Sequence, residues 1–185
     1  MRPAIIHPLR AVLLSVLTLL LAGCGVSLIV PYGGEPLDQF PLDSVVIKSH
    51  DRSYPFTVWV AATEARRSQG LTHVRGLDAD RGMLFLFDRP TRPAIWMKNM
   101  AISLDLLFIS ADGEILSVAP DVAPDSPRTF RPDDVIAAVI ELPGGTAARL
   151  QLEKGGEIRH PHFIREAREA LSSPPRELPL LAGLN

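Results

Sequence analysis

Short apolar runs set off by turn-forming residues fill the middle of the chain, and long amphipathic stretches are scarce. Residues 45–48 (Val-Val-Ile-Lys) and 56–60 (Phe-Thr-Val-Trp-Val) are rich in β-branched and aromatic side chains and predict strands. Residues 82–87 (Gly-Met-Leu-Phe-Leu-Phe) and 95–97 (Ile-Trp-Met) predict two more. The runs 104–109 and 114–118 flank Asp112-Gly113, a strong short hairpin signal. A further strand over 135–142 ends at Pro143-Gly144-Gly145, and 157–159 reads as a short late strand. Helical patterning is confined to three places. Residues 63–69 have Thr63 as N-cap and Gly70 as C-cap, and 146–150 suits one or two turns. Over 162–171, Phe163, Ile164, Ala167 and Leu171 fall near one face. Several strands are apolar on both faces, as in Leu106 and Phe108 against Leu107 and Ile109. A rolled or barrel-like, largely antiparallel sheet with a few short helices across its openings buries both sets, so the fold class is α+β, mainly β.

The pattern changes at both ends. Arg2 and Arg10 precede an uncharged apolar run over 11–22, followed by Gly23-Cys24-Gly25. A positive start, a short apolar core and small residues describe a secretory signal peptide. Leu21-Ala22-Gly23-Cys24 is similar to the lipobox of bacterial lipoproteins, whose cysteine thiol is lipidated and becomes the mature N-terminus. Several acyl chains, at about 0.8 kcal/mol per buried CH₂, hold firmly where one is marginal. The competing reading is an uncleaved membrane helix over 11–30, long enough to span but interrupted by glycines around Cys24. Residues 1–23 are therefore expected to be a lipoprotein signal peptide and 24–41, with three prolines, a tether. Residues 42–171 form the domain, and 172–185 a proline-rich tail. The expected address is the bacterial cell envelope, with the domain outside the cytoplasm in the periplasm and the membrane as a partner through lipid on Cys24.

Composition narrows the function. The 185 residues carry a formal net charge of −2, and removing Arg2 and Arg10 makes it −4. Nucleic acid is not an expected partner, because the excess positive charge that drives such binding is missing. The one cysteine excludes an internal disulfide or a redox pair. His160-Pro161-His162 places two imidazoles together, but the other histidines are scattered singly and no metal or other cofactor is expected.

Five local motifs follow one another: Gly70-Leu71, Gly82-Met83-Leu84-Phe85, Trp96-Met97-Lys98-Asn99, Leu104-Asp105, and Glu141 followed by Gly145-Thr146. In this order they resemble the DUF192 (UPF0127) family across roughly residues 45–159. The resemblance implies a compact β-rich domain, often exported or membrane-attached, and no established activity. The chain departs from the family pattern at Met100, where Thr is usual, and at Thr72, where Met is common. Gly155-Gly156-Glu157 replaces the usual Gly-Asp closing turn.

Trp96, Lys98, Asn99, Asp105 and Glu141 are the candidate site. As a shared polar pocket, Trp96 would form a wall, Lys98 and Asn99 would orient a ligand, and the carboxylates would accept hydrogen bonds. A sugar-like or peptidoglycan-derived ligand suits that set. The leading expectation is a non-enzymatic envelope protein that binds such a ligand, or an envelope protein partner. One alternative is a hydrolase of envelope carbohydrate or peptide using Asp105 and Glu141. Another is a structural or assembly factor with no ligand site, its carboxylates held in the core by backbone amides or by Lys98 or Arg66.

Overall fold

The computed structural model describes residues 34–72 and 74–164. The signal peptide, Cys24, most of the tether, the 172–185 tail and all but the start of the 162–171 helix lie outside the described residues. A 3-10 turn, Leu37–Gln39, leads into β1 (Leu42–Ser49), β2 (Arg52–Ala61), α1 (Glu64–Gln69), β3 (Arg81–Thr91) and β4 (Ile95–Trp96). After these come β5 (Leu104–Ile109), β6 (Ile115–Val122), β7 (Thr129–Phe130), β8 (Ile136–Pro143), α2 (Thr146–Leu150) and β9 (Glu157–Arg159). Each strong strand signal in the sequence lies on a strand here. β1, β2 and β3 also run beyond the apolar runs that mark them.

Seven strands form one curled sheet in the order β6-β5-β8-β3-β2-β1-β9, and β4 pairs with β7 in a small ribbon. The sheet is mixed, not purely antiparallel: β2 and β3 run parallel, with Thr57 opposite Arg81 and Ala61 opposite Phe85. A parallel pair needs a crossover, and residues 62–80, including α1, supply it. The curl brings the sheet's two outer strands together at one end. There Glu114 bridges to Glu157, Ile115 N–H donates to Gly156 O (2.8 Å), and Ile158 N–H donates to Gly113 O (2.7 Å). A side chain on Gly156 would begin 2.8 Å from Ile115 Cδ1 and 3.1 Å from Lys48 O, so glycine gives this closure its close fit. Among the described residues no helix is long and apolar enough to cross a membrane.

The sheet buries both faces. Its concave side gathers Val45, Ile47, Val58, Leu84, Leu107, Ile109, Ile140 and Ile158, and Phe163 closes one end. The outer side of β3, β5 and β8 carries Met83, Phe85, Leu104, Leu106, Phe108 and Val139. That second layer is covered by Phe40, Leu71, Met97 and Met100, which come from loops. All six residues of β5 are buried, which explains its apolar character on both faces. Gly82 lets β3 and β8 approach, since a Cβ there would sit 2.5 Å from Glu141 O. The functional question concerns the outer layer, where loops replace a regular second sheet.

Candidate functional site

The loops over the outer face leave a cavity of about 210 Å³ between α1 and the segment that follows β3. One wall is the second half of α1 with Gly70, Leu71 and Thr72. The opposite wall is Pro93 to Trp96 with Lys98 and Met100, and Phe85, Phe87 and Glu141 form the sheet side.

Local chemistry fixes each wall. Thr63 Oγ1 accepts the Arg66 N–H and starts α1, a contact that stabilises a helix by about 1 kcal/mol. Arg67 ties α1 to the sheet: Nη1 donates to Ala62 O (2.6 Å) and Leu86 O (2.7 Å), and the guanidinium lies 5.5 Å from the Phe87 ring centre. Arg66 forms a two-pronged ion pair with Glu35, through Nε at 2.8 Å and Nη2 at 2.7 Å. The guanidinium holds the Glu35 carboxyl below its usual range. The Gln69 side chain completes the clamp, donating to Glu35 O (2.6 Å) and accepting from Glu35 N–H (2.7 Å).

On the facing wall, Met100 N–H donates to Met97 O (3.1 Å) and makes a tight turn. The turn buries Met97 and Met100 and leaves Lys98 and Asn99 exposed. Asn99 adopts a left-handed φ of 61°, and its N–H donates to Asp125 Oδ1 (2.6 Å). Asn tolerates that conformation better than most residues, which accounts for its place in the motif. Trp96 is 61% exposed and stands at the edge of the cavity.

Glu141 is the unusual group. It lies on β8 opposite Met83 and Leu106, both fully buried, and is itself 5% exposed. Its Oε2 has no hydrogen-bond partner among the described residues. Burial pushes its carboxyl up to about 8, so the group is a neutral acid at pH 7. Neither expected cation neutralises it, because Arg66 is committed to Glu35 and no ion pair joins Lys98 to Glu141.

Asp105 lies elsewhere. Strand alternation puts it on the concave side with Leu107 and Ile109, opposite Leu142 in register. Its carboxylate accepts the N–H groups of Asp121 (2.6 Å), Gly145 (3.1 Å) and Ala147 (2.5 Å). It thus holds the turn into α2, where Gly145 has a φ of 80°. The expectation that all five candidates share one pocket is corrected here. Trp96, Lys98 and Glu141 line the cavity; Asn99 is a turn residue beside it, and Asp105 is a structural carboxylate on the other face of the sheet.

The candidate set also missed Arg67, Gly70, Leu71, Phe85, Phe87 and Met100, all on the cavity wall. The family motifs held the signal for several of them, since Gly70-Leu71 and Phe85 belong to the same series as Trp96 and Glu141. His160 is likewise engaged structurally. Its Nε2 lies 3.1 Å from Asp43 Oδ2, and its Nδ1 accepts the His162 N–H. Among the described residues no group of three or more His, Cys, Asp or Glu side chains is placed to hold a metal ion.

A curled, mostly β domain with a side cavity between its crossover helix and a loop after β3 is the class that this fold and site define. The chain belongs to the DUF192 family, "Uncharacterized ACR", whose profile matches residues 45–160. Two solved structures share the fold. One, from Sinorhizobium meliloti 1021 and described as a proposed transcription regulator, is 32% identical with a TM-score of 0.65. It covers 68% of this chain and 97% of its own. The other, a protein of unknown function from Novosphingobium aromaticivorans DSM 12444, is 27% identical with a TM-score of 0.66. It covers 69% of this chain and 91% of its own. No curated protein matches the chain.

Proposed function

We propose that this protein is a lipid-anchored component of the bacterial cell envelope that binds a small, ring-sized polar ligand in the Glu141 cavity and catalyses no reaction on it. The observation that carries the binding reading is Glu141 Oε2, a buried acid oxygen on the cavity wall with no protein partner among the described residues. Leaving such an atom unsatisfied costs about 1–3 kcal/mol, so its retention beside an open space fits a ligand that completes it. Size supports a ring. A cavity of about 150 Å³ admits a benzene molecule, and this one measures about 210 Å³. Trp96 and Phe85 on the wall supply aromatic surface of the kind against which an aromatic ring or the apolar face of a sugar packs.

The hydrolase reading fares worse on the same geometry. Two carboxylates acting on one bond must reach the same substrate. Asp105 and Glu141 project from opposite faces of the sheet, and both Asp105 oxygens are occupied by backbone donors.

Binding is tested with the full chain in detergent micelles, by ligand-observed NMR against monosaccharides, N-acetylated amino sugars and small aromatic rings. Saturation transfer to at least one ring class, abolished by Glu141→Ala, is expected. No transfer to any ring-sized probe would remove the reading. The anchor is tested separately by mass spectrometry of the membrane fraction, with an acylated Cys24 as mature N-terminus the expected result. An unmodified or uncleaved N-terminus would overturn it.

A further inference from the structure

We infer that the cavity's ligand is an anionic sugar ring, its oxyanion held at the mouth by Arg67 and Lys98 and its ring set between Trp96 and Glu141. This rests on the cavity reading above and adds the charge and polarity of what enters. Arg67 is half-buried on the wall, and among the described residues only its Nη1 is hydrogen-bonded, to two backbone carbonyls. No carboxylate pairs with Arg67 or with Lys98 among the described residues. Two cations that no carboxylate pairs with line one cavity and favour a negative group, and the remaining N–H groups of a guanidinium match two oxygens of a carboxylate or phosphate.

The inner end is compatible with an anion. Glu141 is protonated at neutral pH, so it does not repel the ligand and offers an O–H to a ring hydroxyl or carbonyl. The other acid on the wall, Glu64, is exposed at the start of α1, where water and salt screen it. Met100 fills a wall position with a thioether, so hydrogen bonding is left to the few polar groups around it. Trp96 presents its indole at the mouth, the contact a sugar ring uses for its apolar face.

The experiment titrates the full chain in micelles with three probes that share one ring: N-acetylglucosamine, N-acetylmuramic acid and N-acetylglucosamine 6-phosphate. At least one anionic probe is expected to bind about tenfold more tightly than the neutral sugar, and the tighter of the two identifies carboxylate or phosphate. That preference should shrink about fivefold in Lys98→Met and in 0.5 M salt, and grow in Glu64→Gln. Lys98 and Glu64 are exposed, so these variants leave the fold intact. Equal affinity for all three probes, or a preference untouched by Lys98→Met, would overturn this inference while leaving the cavity reading standing. Binding of none of the three would also overturn it, and the cavity reading would fail only if neutral and aromatic rings failed as well.

Discussion

Glu141→Gln isolates what burying an ionisable carboxyl costs this fold. In the unfolded chain this carboxyl ionises near 4.5, whereas in the folded chain burial holds its proton until about pH 8. Between those values the folded state binds the extra proton. Stability therefore falls as pH rises, by about 1.4 kcal/mol per pH unit, and levels off above pH 8. At pH 7 the loss amounts to about 3 kcal/mol. Glutamine keeps the shape and has no proton to lose. Its amide is as poorly satisfied as the neutral acid, so the cost of burying the head group largely cancels. The variant should match the wild type near pH 4.5 and be about 3 kcal/mol more stable at pH 7. In a domain of this size the melting temperature should rise roughly 9 °C at pH 7, at roughly 3 °C per kcal/mol. Urea denaturation of both proteins at pH 4.5, 7 and 8.5 measures the gap directly. A gap that is constant with pH, or a variant less stable than wild type at pH 7, would mean that Glu141 is not held protonated by burial. The glutamine amide keeps a donor in the same place, so a stabilised Glu141→Gln that still binds, beside a Glu141→Ala that does not, is the signature of a site kept at the expense of stability.

Other substitutions probe the scaffold around the site. Asp105→Asn places an amide NH₂ or a single oxygen where three backbone N–H groups converge, so a loss of about 2–4 kcal/mol is expected by denaturant titration, with binding in the cavity retained. Gly82→Ala drives a methyl into the β8 backbone and should cost about 3 kcal/mol, read as a lowered denaturation midpoint. Glu35→Ala frees Arg66, and hydrogen exchange should show faster exchange at the α1 amides with little change in β5 and β8.

The strands were legible because their signals are local. Asp112-Gly113 marks the turn between β5 and β6, and Thr63 and Gly70 bound α1 as caps. Two things were not legible. The parallel pairing of β2 with β3 depends on where residues 62–80 send the chain, a long-range choice that strand patterns do not carry. The separation of Asp105 from Glu141 depends on register. Opposite Glu141 stands Leu106, not Asp105, and a shift of one position moves a side chain to the other face. The two carboxylates look alike as polar breaks in apolar strands, yet one is saturated by backbone amides and the other is bare. For the cavity, the sequence yielded Trp96, Lys98 and Glu141 through the motif pattern. Arg67 and Phe87 reach the same space through packing of the crossover against β3, which no motif spelled out.

Entry of a ligand beside Glu141 would be seen in an amide- and indole-resolved NMR titration of the full chain with the ring-sized probe that binds best. Shifts should concentrate at Gly70, Leu71, Thr72, the Trp96 indole and the β8 amides around Glu141, and all should vanish in Glu141→Ala. Shifts scattered over the surface, or clustered around Asp105 and α2 on the other face of the sheet, would contradict it.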